Sequence, residues 1–367
     1  MKKAIKIILR IVLILLLVLI LAVGGYVLYV QMQYYRIEDN APLDIINPAS
    51  QQIEKGKEYS AVTSNIGFGA YDHDYTFFLD TGTMKDGTKT VGTHGRASSK
   101  EAARRNTDNA VAALQKLKAN FYLVQEVDTN STRAYHINQM EALTKAMPSH
   151  SASFALNFHS AYLAYPFLDM HGKTEAGLLT LSDKAIAEAW RRSYPVDNSF
   201  FTKFFDLDRC FAVSRLPIKD GTELVLINSH MSAYDKGGTI RAQQLSMLND
   251  VLAEERAKGN YVIVGGDFNH ALGGTVDAFP SAQQIPPWVF EFSDKDLPEG
   301  FRVATAENDH EVATCRGCDI PYTKGTTYVT VVDGFIVSDN ISAKAENIDE
   351  DFVFSDHNPV KLTFTLD

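Results

Sequence analysis

The stretch Val262-Ile-Val-Gly-Gly-Asp-Phe-Asn-His270 is the part of the sequence that decides the fold. A short Val/Ile run closed by two glycines predicts a buried strand that ends in a tight turn at the edge of a sheet. Asp267 and Asn269 follow two residues apart, so in extended backbone their side chains face the same side. Their oxygen atoms can hold a hard cation or a water molecule there. An Asx turn that only caps the strand is the alternative interpretation.

Several other strand-like segments also finish in polar side chains. These side chains are Asn65, Glu126, His230 and the pair Asp356-His357, while Asp333 lies inside the apolar run 329–337. Because a buried carboxylate is costly unless it is paired or bound to a metal, several such groups at the ends of neighbouring strands predict a metal cleft. Oxygen ligands from Asp, Glu and Asn, without a cage of Cys or His, favour Mg²⁺, Mn²⁺ or Ca²⁺ over zinc.

The histidines His230 and His357 supply the other half of a catalytic site. Cleavage of a phosphodiester needs neutralised phosphoryl oxygens, a positioned water and a proton for the leaving oxygen. Histidine has an unperturbed pKa of about 6.5, so it gives or takes protons at neutral pH. A buried carboxylate beside the imidazole would fix its orientation and tautomer. These residues therefore predict hydrolysis of a phosphate ester.

The N-terminus carries an apolar segment long enough to cross a bilayer, for which about 20 apolar residues suffice. No charged residue occurs between Arg10 and Arg36. Four positive charges precede the segment, so the positive-inside rule keeps residues 1–10 in the cytoplasm and places the rest outside the cell. A cleaved signal peptide is the alternative, but its apolar region is usually about 7–15 residues and no clear cleavage site follows Val30. We therefore expect a retained transmembrane anchor over residues 11–35.

Composition divides the remaining chain into a tether and one domain. Residues 36–58 contain Pro42 and Pro48 and have no apolar period, which predicts a polar tether. Residues 59–367 contain no repeat and no linker, and their number suits one large two-layer core. Helices are expected at about 99–119, 133–147 and 239–258, a single strand at 328–338, and a flexible turn at 234–238. Strand-rich segments separated by a few helices predict two packed sheets with helices outside.

Charge and cysteine content limit the classes of function. The 367-residue chain has a net charge of −10, and residues 1–36 contribute +5, so the remainder carries −10 − 5 = −15. This acidity argues against tight, non-specific nucleic-acid binding, although metal ions in a cleft can neutralise phosphate locally. Cys315 and Cys318 form a lone CxxC without two further zinc ligands, so a local disulfide and two free thiols both stay open.

Six segments, in order, resemble motifs of the endonuclease/exonuclease/phosphatase superfamily. They are 64–66, 125–127, 228–230, 266–269, 332–338 and 355–360, and the resemblance spans residues 59–366. It implies an α+β fold, a four-layer αββα sandwich of two packed, mostly antiparallel sheets, to which the N-terminal transmembrane helix is added. One departure is Gly334, since the family usually carries an aromatic residue there.

The resemblance also implies a role for each matched side chain. The implied ligands of the divalent metal carry oxygen donors, namely Asn65, Glu126 and Asp356. The implied catalytic side chains position water, contact phosphoryl oxygens or move protons, namely His230, Asp267, Asn269, Asp333 and His357. Which histidine is the base and which the acid stays open. Arg241, in the first turn of the helix after His230, either binds substrate phosphate or forms an ordinary ion pair.

The expected function is that of a membrane-anchored, outward-facing, metal-dependent phosphodiesterase of the endonuclease type. Its substrate would be a phosphate ester, and its cofactor Mg²⁺, with Mn²⁺ or Ca²⁺ as substitutes. A sphingomyelinase-like phospholipid head-group hydrolase and a phosphoinositide-type phosphatase are the alternatives within this chemistry. A surface binding module on an inactive enzyme scaffold is the rival from another class. No pattern in the sequence indicates the oligomeric state or the number of metal ions.

Overall fold

The computed structural model describes residues 2–200, 202–233 and 239–367, so the turn expected at 234–238 lies outside the described residues. The described chain contains four α-helices: α1 (Lys2–Gln33), α2 (Lys100–Leu117), α3 (Gln139–Ala146) and α4 (Thr239–Ala257). Single 3-10 turns occur at Gly67–Gly69, Thr132–Ala134, Thr202–Phe204 and Asp294–Asp296.

Seventeen strands accompany these helices in the described residues. In chain order they are β1 (Ala41–Pro42), β2 (Glu58–Asn65), β3 (Thr81–Thr83), β4 (Lys89–Val91), β5 (Phe121–Asp128), β6 (Ser151–Leu163), β7 (Gly172–Ser182), β8 (Glu188–Ser193), β9 (Cys210–Pro217), β10 (Glu223–His230), β11 (Tyr261–Asp267), β12 (Phe301–Val303), β13 (Cys315–Arg316), β14 (Val329–Thr330), β15 (Asp333–Ser338), β16 (Ile341–Asn347) and β17 (Val360–Leu366). Thirteen of them form two large sheets, and β3 with β4 and β13 with β14 form two small ones.

The two large sheets are mixed and mostly antiparallel. The seven-stranded sheet has the order β1-β8-β9-β10-β11-β15-β12, and the six-stranded sheet has the order β16-β17-β2-β5-β7-β6. In each sheet one pair of strands is parallel, β10 with β11 and β2 with β5. Parallel neighbours end at the same edge of a sheet, so each sheet brings the ends of two adjacent strands together.

The layers follow from the alternation of side chains along the strands. In β10, Leu224 and Leu226 face the core between the two sheets, whereas Val225 and Ile227 pack under α4. The six-stranded sheet is built in the same way, since its outer face packs against α2 and α3. Strands covered on both faces bury nearly every residue, which explains their continuous apolar runs. The order of layers is thus helix, sheet, sheet, helix, and the predicted αββα sandwich is confirmed.

A polar bridge joins the two sheets inside this core. Gln125 on β5 donates from Nε2 to Oδ1 of Asn228 on β10 at 2.8 Å. Asn228 donates in turn to the carbonyl oxygens of Val124 and Leu179, at 3.3 and 3.1 Å. A buried amide is tolerated when its hydrogen bonds are satisfied in this way. The bridge fixes the position of β5 relative to β10 close to the polar strand ends. Gln125 is one residue from Glu126, and Asn228 is two residues from His230.

The N-terminal part of the chain contains the apolar helix and a segment that contacts the domain. α1 is long and apolar enough to cross a membrane, with a mean hydropathy of 3.3 in its most apolar 18-residue window and none of that window buried. A signal sequence would have the same properties. After α1, Ala41–Pro42 pairs with β8, and Ile53 is fully buried in the core between the sheets. Residues of the expected tether therefore contact the folded domain.

Candidate active site

The polar ends of strands from both sheets meet at one place. Asn65 ends β2, His230 ends β10 and Asp267 ends β11. The register of the seven-stranded sheet puts His230 beside Asp267, and Asp267 beside Asp333 at the start of β15. Ligand sites commonly lie at the carboxyl ends of parallel strands, because neighbouring loops diverge there and leave a crevice.

Asn65 connects the carboxylates of the two sheets. Its Nδ2 donates to Glu126 Oε1 and to Asp267 Oδ2, each at 3.2 Å. Its Oδ1 accepts a hydrogen bond from the backbone N–H of Gly67 at 3.0 Å. In this arrangement Asn65 orients two carboxylates, and its Oδ1, the oxygen predicted to face a metal ion, accepts from Gly67 and keeps a second lone pair.

A bulge in β5 turns Glu126 towards the cleft. The register of β5 against β7 shifts between Val124 and Val127, and Glu126 lies between them with φ of 54°. A bulge bends the strand and redirects a side chain, and a non-glycine residue with positive φ costs roughly 1–2 kcal/mol. The fold accepts this cost, and as a result the Glu126 carboxylate lines the cleft.

His357 is held by Asp333. The Nδ1 of His357 donates to Oδ2 of Asp333 at 2.7 Å, and its Nε2 lies 3.7 Å from Oδ2 of Asp267. Burial lowers the pKa of His357, but the carboxylates around it raise that pKa more, so that it lies well above the usual value. The imidazole is therefore protonated and presents Nε2–H to the cleft.

His230 has the opposite electrostatic environment. It is 2% exposed, and its Nε2 lies 3.4 Å from Asp267 Oδ2. Burial holds the pKa of His230 well below the usual value, and the positive charge of Arg209 lowers it further. Two imidazoles against one carboxylate, one charged and one neutral, form an arrangement that can both give and accept protons.

Asp267 and Asn269 form the turn that the sequence suggested as an alternative, and they also take part in the site. Asp267 Oδ1 accepts from the backbone N–H of Asn269 at 2.9 Å, which leaves Oδ2 for Asn65 and the two histidines. Asn269 has φ of 50° and donates from Nδ2 to the carbonyl oxygen of Met231 at 2.9 Å. The Asx turn is thus the device that positions both side chains beside the cleft.

Glu126 and Asp356 form an acidic pair that suits a divalent cation. Burial and the negative charge of Glu126 together raise the pKa of Asp356 to about 6, although the charge of His357 opposes them. Both carboxylates line the cleft. Hard cations such as Mg²⁺ prefer carboxylate oxygens and water, and one between these two groups would remove their mutual repulsion. The donor set therefore fits the predicted metal.

Asp267, Asp333 and His357 form a second cluster, whose ligand atoms lie within 4.8 Å of one another. This cluster suits a cation less well than Glu126 and Asp356 do, because Asp333 and His357 are already joined by a 2.7 Å hydrogen bond. Asp333 also lies behind the cleft wall, whereas Glu126 and Asp356 line it.

The cleft has a cavity volume of about 190 Å³ and a chemically mixed lining. Besides the carboxylates and histidines, the lining contains the aromatic residues Phe68, Tyr71, Phe77, Phe78 and Phe158. A polar reaction centre with apolar surface beside it can hold a charged group and an attached apolar group at the same time.

The two packed sheets with outer helices are shared with solved structures. A truncated TDP2 from Caenorhabditis elegans matches with a TM-score of 0.52 and 14% identity, over 85% of this chain and 99% of that one. An endonuclease/exonuclease/phosphatase from Beutenbergia cavernae DSM 12333 matches with 0.53 and 13%, over 84% and 72%. The TDP2 of D. rerio complexed with a single-strand DNA product matches with 0.51 and 14%, over 84% and 99%. No protein-family model and no curated protein matches the sequence.

The chain has the endonuclease/exonuclease/phosphatase fold. The resemblance seen in the sequence is confirmed by these structures at the level of the fold. With that fold, six of the eight predicted metal and catalytic residues line one cleft: Glu126, His230, Asp267, Asn269, Asp356 and His357. The remaining two, Asn65 and Asp333, are hydrogen-bonded to members of this set from behind.

Arg241 lies behind the cleft of this endonuclease/exonuclease/phosphatase fold. It is fully buried, and its Nη1 donates to the carbonyl oxygens of Asn269 at 2.8 Å and Trp288 at 2.9 Å. The structure thus places Arg241 under the Asn269 turn as a support. Arg241 is not among the residues that line the cleft, and its contact with substrate phosphate stays a prediction.

Arg209 is a cleft residue that the sequence did not indicate. It precedes β9, is 4% exposed and lines the cleft near His230. Its Nε and Nη1 have no hydrogen-bond partner among the residues that the structure describes. A buried guanidinium with unused donors beside a reaction centre is suited to bind an anion. No motif surrounds Arg209 in the sequence, so only the three-dimensional packing reveals it.

The cysteines of the CxxC are free thiols in this fold. Cys315 and Cys318 are buried and line the cleft on the side of Asp356. Burial raises the pKa of Cys315 to about 12, so the thiol stays protonated at neutral pH. Of the two possibilities that the sequence left open, the structure has the free thiols.

Proposed function

We propose that the protein is a membrane-anchored, outward-facing, divalent-metal-dependent phosphoesterase. One observation carries the proposal: three side chains from distant segments gather at Oδ2 of Asp267. Asn65 Nδ2 lies 3.2 Å from it, His230 Nε2 3.4 Å and His357 Nε2 3.7 Å. A binding module has no need for two buried imidazoles, one protonated and one neutral, at one carboxylate, because burying such groups destabilises the fold.

Glu126 and Asp356 would hold the cation, with Mg²⁺ as the expected ion and Mn²⁺ or Ca²⁺ as substitutes. When bound, the ion neutralises phosphoryl oxygens and lowers the pKa of a water molecule. Asn65 keeps the Glu126 carboxylate in place through its hydrogen bond. Because the ion would supply both of these effects, its removal with a chelator should abolish turnover.

The protein groups supply orientation and protons. His357, kept protonated by Asp333, donates from Nε2 to a phosphoryl or leaving oxygen. Asp267 and Asn269 position the attacking water and the phosphoryl oxygens. Neutral His230 can accept a proton or a hydrogen bond on the same side. Arg209 adds positive charge where the pentacovalent phosphorus accumulates negative charge.

A nucleic-acid phosphodiester is the first candidate substrate, as in an endonuclease-type phosphodiesterase. The partly buried rings of Phe78, Phe205 and Trp288 in the cleft lining support this assignment, because base–aromatic stacking contributes about 1–3 kcal/mol per base and tolerates any sequence. The similar TDP2 of D. rerio was solved with a single-strand DNA product. A single strand also suits an acidic domain better than a duplex, because fewer phosphates need neutralising.

A phospholipid head group is the second candidate, and one contact favours it. Phe205 lines the cleft and also packs against the cluster of Val30, Ala161 and Phe204, which joins the end of α1 to the domain. If α1 spans a bilayer, this part of the cleft lies close to the lipid surface. A phosphoinositide-type phosphatase would also reach its substrate at the lipid surface, but it would hydrolyse a phosphomonoester.

The test is a substrate panel with the full-length protein in detergent. Single-strand DNA, duplex DNA, RNA, sphingomyelin and phosphoinositides are each incubated with Mg²⁺ or with excess EDTA. We expect Mg²⁺-dependent release of product from one class, and its loss in Asp267→Asn. The exposed, ion-paired Asp339 supplies the matched control Asp339→Asn. Turnover that is unchanged in EDTA would exclude the metal role, and no turnover on any substrate would favour the binding module.

A further inference from the structure

The loop between β6 and β7 carries an exposed apolar surface, which we call the apolar loop, residues 162–168. Its sequence is Tyr-Leu-Ala-Tyr-Pro-Phe-Leu, without a charged residue. Tyr165 is 50% exposed, Phe167 75% and Leu168 100%. Large apolar side chains that are adjacent and this exposed are unusual on a soluble surface and indicate an interaction site.

The charge that follows the loop is neutralised locally. Asp169 accepts from Arg96 Nε at 2.7 Å, and its Oδ2 lies 3.6 Å from His94 Nδ1. Asp169 also accepts from the backbone N–H of Gly95 at 3.0 Å. An apolar surface without a free charge at its base can be transferred into a low-dielectric environment at little electrostatic cost.

Hydrogen bonds attach this loop to the apolar helix α1. Tyr26 Oη donates to the carbonyl oxygen of Tyr162 at 2.7 Å and accepts from the backbone N–H of Ala164 at 3.3 Å. Tyr26 lies four residues before Val30, the last residue of the apolar run. With a rise of 1.5 Å per residue, the contact is about 6 Å from the outer end of that run. The base of the loop therefore lies at a level along the helix where a bilayer would still surround it.

A second set of contacts fixes the loop and the helix relative to each other. Val30 is buried against Ala161 and Phe204, and the rings of Tyr34 and Phe204 meet at 5.5 Å. Lys203 Nζ donates to Gln31 Oε1 at 3.1 Å. Because these contacts flank the hydrogen bonds of Tyr26, the helix cannot tilt freely away from the apolar loop.

We infer that the apolar loop docks on the outer leaflet of the lipid bilayer that α1 crosses. The inference rests on the membrane anchoring proposed above, but not on the catalytic activity. Aromatic side chains such as Tyr165 and Phe167 are favoured at the interface between lipid and water, where Trp and Tyr form belts around membrane proteins. Leu163 of the loop lines the cleft, and the ring of Tyr165 lies 5.5 Å from that of the cleft residue Phe78. Docking would therefore hold the mouth of the cleft beside the membrane surface.

The experiment uses the full chain in phosphatidylcholine vesicles with fluorophores on single introduced cysteines. The three native cysteines are buried, so labelling of the folded protein is selective. Leu168→Cys reports on the apolar loop, and Leu15→Cys on the middle of α1. Lys219→Cys lies in the exposed β9–β10 turn at the opposite end of β10 from His230 and is the control. Lipids that carry a nitroxide on the acyl chain are the quencher.

We expect the nitroxide lipids to quench the fluorescence of the labels on Leu168→Cys and Leu15→Cys to a similar extent. The fluorescence of the label on Lys219→Cys should stay unchanged. If Leu15→Cys is quenched and Leu168→Cys behaves as the control, docking is wrong while the anchor stands. If Leu15→Cys is not quenched, the anchor fails and docking fails with it. A Leu168→Cys label that is shielded from aqueous iodide but not quenched by lipid would show that protein covers the loop, and would also overturn the inference.

Discussion

The environment of Asp267 is set by several separate segments of the chain. Its Oδ1 holds the Asn269 turn, and its Oδ2 faces the amide of Asn65, the imidazole of His230 at the end of β10 and that of His357 before β17. None of these partners is close to Asp267 in sequence except Asn269. The electrostatics of the site therefore depend on side chains behind the cleft as much as on those that line it.

Asp333→Asn removes the negative charge that keeps His357 protonated but preserves the size of the side chain. We expect kcat on a phosphodiester to fall about 10²–10⁴-fold, the usual contribution of a positioned acid or base. Because the pKa of His357 falls when the charge is lost, the alkaline limb of the pH–rate profile should move to lower pH. Steady-state rates from pH 5 to 9 measure both effects. Asp339→Asn is the control, and an unshifted profile would argue against this pairing.

Arg209→Met tests whether the buried guanidinium binds anionic substrate. Nε and Nη1 make no hydrogen bonds among the described residues, but burial raises the pKa of Asp206 and the charge of Arg209 opposes that rise. Because Arg209→Met removes this charge, the free energy of unfolding should fall by about 1–2 kcal/mol. Loss of one charge-assisted contact should raise KM about 10–100-fold. Arg215, whose guanidinium contacts Glu223 and Glu255, gives the opposite control: Arg215→Met should lower stability by about 1–3 kcal/mol and leave KM unchanged. A lower stability with an unchanged KM in Arg209→Met would show that Arg209 is a structural residue.

At the scale of elements, the sequence predicts what adjacent residues determine. The apolar run that ends at Asp267 contains its own stop signals, and β11 ends there. Ser99 caps α2 by accepting from the N–H of Ala102 at 3.0 Å, as its position before the helix suggests. α4 runs from Thr239 to Ala257, within one residue of the prediction. Such features are local, so propensity and pattern are sufficient to find them.

Other elements depend on contacts that the sequence does not display. The strand predicted at 328–338 is divided, because Thr314 Oγ1 accepts the N–H groups of Val332 and Asp333 and interrupts the ladder. The helix predicted from 133 begins at Gln139, where Asn138 caps it by accepting from Glu141 N. Arg209 shows the same limit at the site, since its unused donors result from packing and not from any neighbouring residue.

The β6–β7 connection makes stability depend on pH through His171. This residue precedes β7 and donates from Nδ1 to the carbonyl oxygen of Gly95 at 2.5 Å. Burial, assisted by the charge of Arg133, lowers the pKa of His171 to about 3. In the unfolded chain the pKa is about 6.5, so below that pH the unfolded state binds a proton that the folded state does not. Stability should therefore decrease as the pH falls from about 6.5 towards 3.

The contribution of His171 at pH 5 is about 2 kcal/mol, from 1.4 kcal/mol for each unit below 6.5. His171→Gln should flatten the curve of unfolding free energy against pH by that amount between pH 6.5 and 5. Denaturant titrations at half-unit steps measure it. His136→Gln, at an exposed histidine, should leave the slope unchanged. Equal slopes in the protein and in His171→Gln would contradict the buried neutral imidazole.

At the scale of the whole molecule, each sheet supplies a different part of the site. Glu126 belongs to the six-stranded sheet, and Asp356 lies just before β17 of the same sheet. His230, Asp267 and Asp333 belong to the seven-stranded sheet. The proposed cation ligands therefore come from one sheet, whereas the proton-transfer groups come from both, because His357 follows Asp356 before β17. Asn65 connects the two sets. The relative position of the two sheets then determines the geometry of the reaction.

Removal of the metal should be visible in the stability of the entire domain. The neighbouring Glu126 and Asp356 repel each other, so a bound cation should stabilise the folded state, by about 2.7 kcal/mol at 100 times its Kd. Thermal unfolding in EDTA and in Mg²⁺ measures this shift. Glu126→Gln should abolish the shift and should raise Tm in EDTA, because one of the two like charges is gone. Glu346→Gln, on exposed β16, should keep the wild-type response. A Mg²⁺ shift that survives in Glu126→Gln would place the cation elsewhere in the cleft.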